Sequence, residues 1–171
     1  MGRFKLDKAG IGKIRAMLQH QVMQTEKKLA CETYDFFVNF AYKKSGGGIT
    51  AGGGGWTFYY LSNWNVGINE INETVSPPMR EPWTDDGDIN YYPADLEKAI
   101  RVTNESKFGD SISVTNSVEY GPILNDGGNF GGGGDETSFC VPNRFIEQCI
   151  DHIEHNANNI IKQVAKECPE L

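Results

Sequence analysis

The stretch from Gly109 to Gly128 reads GDSISVTNSVEYGPILNDGG, and its patterning decides how the rest of the chain is arranged. Ser111-Ile112-Ser113-Val114-Thr115 alternates small polar with β-branched apolar side chains, the period of a strand with one buried face. Asn116-Ser117 brings turn chemistry, because short polar side chains that bond nearby backbone favour a break. Val118-Glu119-Tyr120-Gly121 follows, and Pro122 ends any continuing ladder because it has no N–H to donate. The stretch predicts a strand, a kink, a Tyr-Gly corner and a glycine-rich loop delivered to a fixed place. Taken alone, it is an ordinary sheet strand with its exit loop.

A partner strand lies upstream, from Trp56 to Ile68. It is rich in aromatic and β-branched residues, with Tyr60, Ser62, Trp64 and Val66 on one face and Tyr59, Leu61, Asn63 and Asn65 on the other. Between the two strands, residues 69–93 are acidic, bear prolines and include Tyr91 and Tyr92. A connection of that length without periodicity is uncommon in a compact domain and predicts a binding arm or lid. Residues 93–100 read as a short helix or turn leading into the second strand.

Helices are expected at both ends. Residues 8–42 contain no proline, and Ile11, Ile14, Leu18 and Val22 recur at helical spacing, as do Ala30, Tyr34, Phe37 and Ala41. The apolar pattern thins at Gln24-Thr25-Glu26-Lys27-Lys28, where a kink is expected. A helix of about 30 residues is far above the usual 11 or 12, and one so long generally outruns its own domain and packs against something else. Near the C-terminus, Ile146, Cys149, Ile150, Ile153, Ala157, Ile160, Ile161 and Val164 form one stripe, with Pro142 at the position of a first-turn proline. The expected fold is α+β, a small antiparallel sheet packed by a long N-terminal helix and an amphipathic C-terminal helix. One domain spans 1–171, with the long helix at 7–43, the sheet at 56–126 interrupted by an insertion at 69–93, and the last helix at 142–166.

Composition narrows the function classes. The 171 residues carry 39% hydrophobic and 11% aromatic side chains, enough for one domain with a core, at a mean hydropathy of −0.46. No apolar run reaches the roughly 20 residues of a membrane-spanning helix. The start, MGRFKLD, lacks the apolar centre of a signal peptide, so a cytosolic protein is expected. The four cysteines, Cys31, Cys140, Cys149 and Cys168, form no Cys-x-x-Cys pair and read as free thiols. A net charge of −7 argues against a surface that grips nucleic-acid phosphates, though not against a passage through which DNA slides.

Most of the chain's 20 glycines fall in two clusters, Gly46–Gly55 and Gly127–Gly134. Neither has the Lys-Ser/Thr that follows a phosphate-cradling loop, so both are expected to be pliable until a neighbour orders them. Phe130 is a large apolar anchor on the second. Chemistry-bearing groups are sparse. Cys149, His152 and His155 step by three, whereas a helical zinc pair wants four, so solvent-facing histidines beside a structural cysteine are expected. No Gly-x-Ser-x-Gly elbow occurs, and Asp85-Asp86 lie in wet, acidic surroundings. No catalytic, metal or cofactor-binding residue is assigned. A ligand-binding domain or small enzyme using Trp56, Tyr60 and Trp64 as a pocket wall is the remote alternative.

The order of these parts, with Ser62-Asn63-Trp64-Asn65-Val66 and the run from Gly109 to Gly121, resembles the head–tail joining or tail completion proteins of the tailed-phage neck. The motif positions are Asn63, Trp64, Thr115, Asn116, Tyr120 and Gly121. Two departures stand out: the loop before the first strand is a glycine run, and Glu119-Tyr120-Gly121 merges two family elements. The resemblance implies a non-enzymatic virion protein without cofactor, assembled in the host cytoplasm into a ring, with a hexamer favoured over a dodecamer. Its partners would be portal, adaptor or stopper proteins on the head side and a tail terminator or tail tube on the tail side. DNA would pass without sequence-specific contacts, and no membrane is involved. Tail terminator, stopper, or minor tail or decoration protein are the neighbouring alternatives. Tyr91, Tyr92, Tyr120 and Phe130 are the aromatic anchors expected at the assembly interface.

Overall fold

In the computed structural model, residues 8–40, 63–75, 96–119, 121–129, 139–140 and 144–168 are described. Helix α1 spans Lys8–Asp35 and continues into a π-helical turn at Phe36–Phe40. Strand β1 (Trp64–Ile68), helix α2 (Leu96–Glu105), strand β2 (Ile112–Asn116) and the short helix α3 (Gly121–Asp126) follow. Strands β3 (Gly128–Asn129) and β4 (Phe139–Cys140) precede the C-terminal helix α4 (Phe145–Glu167). The fold is α+β, as the periodicities predict. None of these helices is long and apolar enough to cross a membrane.

β1 and β2 pair antiparallel, with Trp64 opposite Asn116, Val66 opposite Val114 and Ile68 opposite Ile112. Side chains alternate across a strand, so Trp64, Val66, Ile112 and Val114 share the face that packs into the core. Asn65, Gly67, Ser113 and Thr115 occupy the other face, which the chain covers with its own return path. Residues 69–75 lie there: Ser113 Oγ donates to Glu70 O at 2.9 Å, Thr115 Oγ1 to Asn72 O at 2.8 Å, and Asn65 Nδ2 to Thr74 O at 2.8 Å. Thus the beginning of the expected arm is sheet cover rather than lid, fixed by polar side chains where a third strand would use backbone bonds. Gly67 allows this approach, because a Cβ there would sit 2.4 Å from Glu70 O. The remainder of the arm and the Trp56–Leu61 half of the first strand lie outside the described residues.

The core joins Tyr34, Phe36 and Phe37 to Trp64, Val66, Ala99, Val118, Leu124, Phe145 and Cys149. Phe37 stacks on Trp64 with centroids 3.8 Å apart and planes 9° from parallel, while Phe36 lies against His152 at 5.1 Å. The π-turn therefore directs two consecutive aromatics to two different partners, the sheet and α4.

Several expectations need correction. The polar patch in α1 does not interrupt the helix, which is continuous to Asp35. Lys27 and Lys28 are instead fasteners for helix ends. Lys27 Nζ donates to Asn104 O at 2.9 Å in the last turn of α2, and Lys28 Nζ pairs with Glu167 at 2.6 Å in the last turn of α4. Gln21 Nε2 donates to the carbonyl of Cys168, the C-cap of α4, at 3.2 Å. Cations and donors at helix C-termini satisfy carbonyls that have no intrahelical partner. Gly121 opens not a loop but the helix α3, and the Gly127 N–H closes that helix on Ile123 O at 2.9 Å. The second glycine cluster then opens with two residues of β3 paired to β4. The expected first-turn Pro142 lies outside the described residues, and α4 spans Phe145–Glu167 with Arg144 as its N-cap. Its first turn is capped from α3, where Asn125 Oδ1 accepts the Ile146 N–H at 3.0 Å. Finally, the α4 stripe is only partly interior: Cys149, Ile160 and Val164 are buried, but Ile146, Ile150 and Ile161 are half exposed.

Two substitutions test this scheme. Trp64→Ala removes the plate on which Phe37 stacks and should cost about 3–5 kcal/mol, a large part of the stability of a domain this size. Lys27→Met keeps the stem packing but strips α2 of its cap and should cost about 1–2 kcal/mol. Urea unfolding monitored by tryptophan fluorescence (for Lys27→Met) and by circular dichroism (for both) measures these losses.

Candidate assembly surface

α1 is made of two halves with different environments. In the inner half, Lys27, Ala30 and Tyr34 are buried. In the outer half, Ile11, Ile14, Leu18 and Val22 are each 45–52% exposed. The outer stripe does not continue the inner one. Leu18 and Lys27 are nine residues apart, about two and a half helical turns, so they leave the axis on opposite sides. The outer half also runs past α4, because the two helices are antiparallel and Gln21 already meets the last turn of α4. From Lys8 to Gln21 that overhang is about 20 Å.

Among the described residues, a neighbour from outside the helix reaches the outer stripe. Phe108 sits in the turn between α2 and β2 and is 52% exposed. With Ile11, Ile14, Arg15, Leu18, Gln19 and Val22 it lines an open groove of about 580 Å³. The turn that carries it is built rigidly. Asp110 Oδ2 accepts the Lys107 N–H at 2.7 Å, Asp110 Oδ1 accepts from Asn69 Nδ2 at 2.8 Å, and Gly109 takes a φ of +93° that suits glycine. Asn69, itself left-handed at φ +60°, bonds Ser111 through both its backbone N–H and its side-chain oxygen. These bonds, first that from Asn69 and then that from Lys107, hold the Asp110 carboxyl below its ordinary value of 3.8.

Of the motif positions, Trp64, Thr115 and Asn116 lie in the sheet. Trp64 pairs with Asn116 and Asn65 with Thr115, Asn63 is buried beside them, and Gly121 opens α3. They are parts of the framework rather than of an exposed site. Asn116 shapes the exit from β2, where its Oδ1 accepts the Val118 N–H at 3.1 Å. The expected interface aromatics Tyr91, Tyr92, Tyr120 and Phe130 lie outside the described residues, as does the Gly46–Gly55 cluster. Sequence reasoning missed Phe108. Its signal was Lys107-Phe108-Gly109-Asp110, a turn sequence with a large aromatic at its tip.

The Cys149, His152 and His155 series spreads around α4 without converging. His155 is exposed and its Nδ1–H donates to Asp151 O at 2.6 Å. His152 is not solvent-facing as expected: half-buried, it donates from Nε2 to Glu32 Oε1 at 2.8 Å and so ties α4 to α1. Cys149 is buried, and burial, with the nearby Glu32 charge, pushes its thiol up to about 11. A thiol so protonated is a packing group rather than a nucleophile. Cys31, Cys149 and Cys168 are free thiols, and among the described residues no three His, Cys, Asp or Glu side chains gather as a metal site.

Comparison with known proteins finds no matching family model, no matching curated protein and no matching solved structure.

The Asp110 turn gives a pH prediction with a definite sign. A carboxyl whose folded pKa lies below its unfolded value stabilises the folded turn above that unfolded value, and the contribution is lost as pH falls through the folded one. The Lys107 amide resonance should therefore titrate with a midpoint below 3.8. In Asp110→Ala the same resonance should sit at its acid position already at neutral pH, with the rest of the spectrum preserved.

Proposed function

We propose that the protein is a structural subunit of the phage neck, assembling into a ring that joins the DNA-filled head to the tail and lines the DNA passage. The observation that carries the reading is the outer half of α1. It is a helix anchored at one end and carries a continuous apolar stripe beside Phe108 that its own core does not cover. Contiguous exposed apolar surface on a small domain marks a protein contact. Identical subunits that meet through different patches close into rings when the rotation permits.

Two further features support this reading. Parts of the two segments behind the family resemblance, Trp64 to Val66 and Val114 to Asn116, are paired neighbours in one ladder. The net charge of −7 suits a conduit, because an acidic wall does not displace the counterions condensed on DNA and so does not bind it. The role is mechanical and assigns no catalytic residue and no cofactor.

Size-exclusion chromatography with light scattering on the purified full chain should give a mass several times the 19.0 kDa subunit, with rings in negative stain. Particles made without the protein should accumulate as heads unjoined to tails. A strictly monomeric protein, or tailed infectious particles that lack it, would overturn the assignment.

A further inference from the structure

The outer half of α1 is basic as well as apolar. Lys8 and Arg15 flank the stripe, and no Asp or Glu occurs between Lys8 and Thr25 in a chain that is acidic overall. A second apolar ridge lies on α4, where Ile146, Ile150 and Ile161 share one face and are each about half exposed. It has the opposite charge. Glu147, Asp151 and Glu154 are exposed alongside it, and no Lys or Arg occurs between Phe145 and Ile161. Arg144 and Lys162 lie just beyond its two ends.

The groove and the Ile146–Ile150 end of the ridge cannot meet within one molecule. The groove begins where α4 ends, at the level of Cys168, whereas Ile146 and Ile150 sit near the other end of that helix. Between Ile146 and Cys168 the helix rises about 33 Å. Both surfaces are about half exposed, and each offers what the other requires. The ridge residues at i and i+4 match the spacing of a groove between side chains at Ile11, Ile14, Leu18 and Val22. The acidic flank would face the basic one, which favours the correct register and disfavours groove-to-groove or ridge-to-ridge pairing.

We propose that the basic groove formed by the outer half of α1 and Phe108 receives the acidic isoleucine ridge of α4 from a neighbouring copy of the same chain. The inference rests on the ring reading and specifies its subunit contact as head to tail, with two different patches per subunit. Such a contact propagates around a ring, whereas a patch that pairs with itself stops at a dimer.

Charge exchange tests it. Lys8→Glu/Arg15→Glu inverts the groove, and Glu147→Lys/Glu154→Lys inverts the ridge; all four side chains are exposed, so the fold should persist, as circular dichroism and thermal melting will show. Each variant alone should fall to the 19.0 kDa monomer under conditions in which the unaltered chain forms its ring. Mixed in equal amounts, the two variants should reassemble, because an inverted ridge then meets an inverted groove and the unaltered surfaces meet each other. A chain carrying all four substitutions should form rings by itself. If either variant keeps its ring, or the mixture stays monomeric, groove and ridge are not partners and the inference is overturned while the ring reading stands. If the unaltered chain is itself monomeric, the ring reading falls and the inference falls with it.

Discussion

The stack of Trp64 on Phe37 is the contact on which the rest of the structure depends. It fastens the small sheet to the end of α1, and the π-turn makes it possible. In an α-helix two consecutive side chains diverge by about 100°, so one of them usually turns outward. Here both are buried because two partners are present: Phe37 lies flat on Trp64, while Phe36, edge-on to Phe37 at 5.7 Å, meets His152 of α4. Short π-helical insertions often occur where a helix must serve a special geometry, and this one joins three elements in a single cluster. Through Trp64 the stack positions β1, and through the ladder it positions β2. The turn before β2 then carries Phe108 to the outer half of α1.

Polar contacts set how α1 is held. Three of its side chains in a short span, Gln21, Lys27 and Lys28, reach the C-terminal ends of α2 and α4. Helix ends expose carbonyls that must be satisfied, and cations there also face the negative end of the helix dipole. The same contacts mark the boundary between the halves of α1. Inward of them the helix is core, and outward it extends past α4 with its apolar side uncovered. A separate segment of that length would be marginal as a helix in water, so its order depends on continuity with the anchored half. Anchorage at one end and exposure at the other give the chain a rigid surface that its own core does not consume.

The local physics of the chain was legible where side-chain periodicity carries it. The 3.6-residue spacing gave the long N-terminal and C-terminal helices, and the alternation through Ile112, Val114 and Thr115 gave the strand, because burial of one face imposes those periods on any chain. The same spacing did not tell which apolar stripe is buried. Ile11 to Val22 and Ala30 to Phe37 look alike in sequence, yet they leave α1 about a third of a turn apart and only the second is core. Phe108 was overlooked for a related reason, since a lone aromatic in a turn has no period.

By itself, then, the sequence determined the helices, the paired strands, the acidic balance and the concentration of basic residues at the start of α1. The tertiary structure alone decided which partners close the exposed ends of those elements. Asn125 caps α4 from a helix twenty residues upstream, Lys27 closes α2 from across the domain, and Ser113 and Thr115 hold residues 69–75 against the sheet. Each is a hydrogen bond between groups far apart in the chain. Local propensity describes only neighbours within a few residues, so such bonds leave no pattern in the sequence and appear only when packing brings the two groups within about 3 Å.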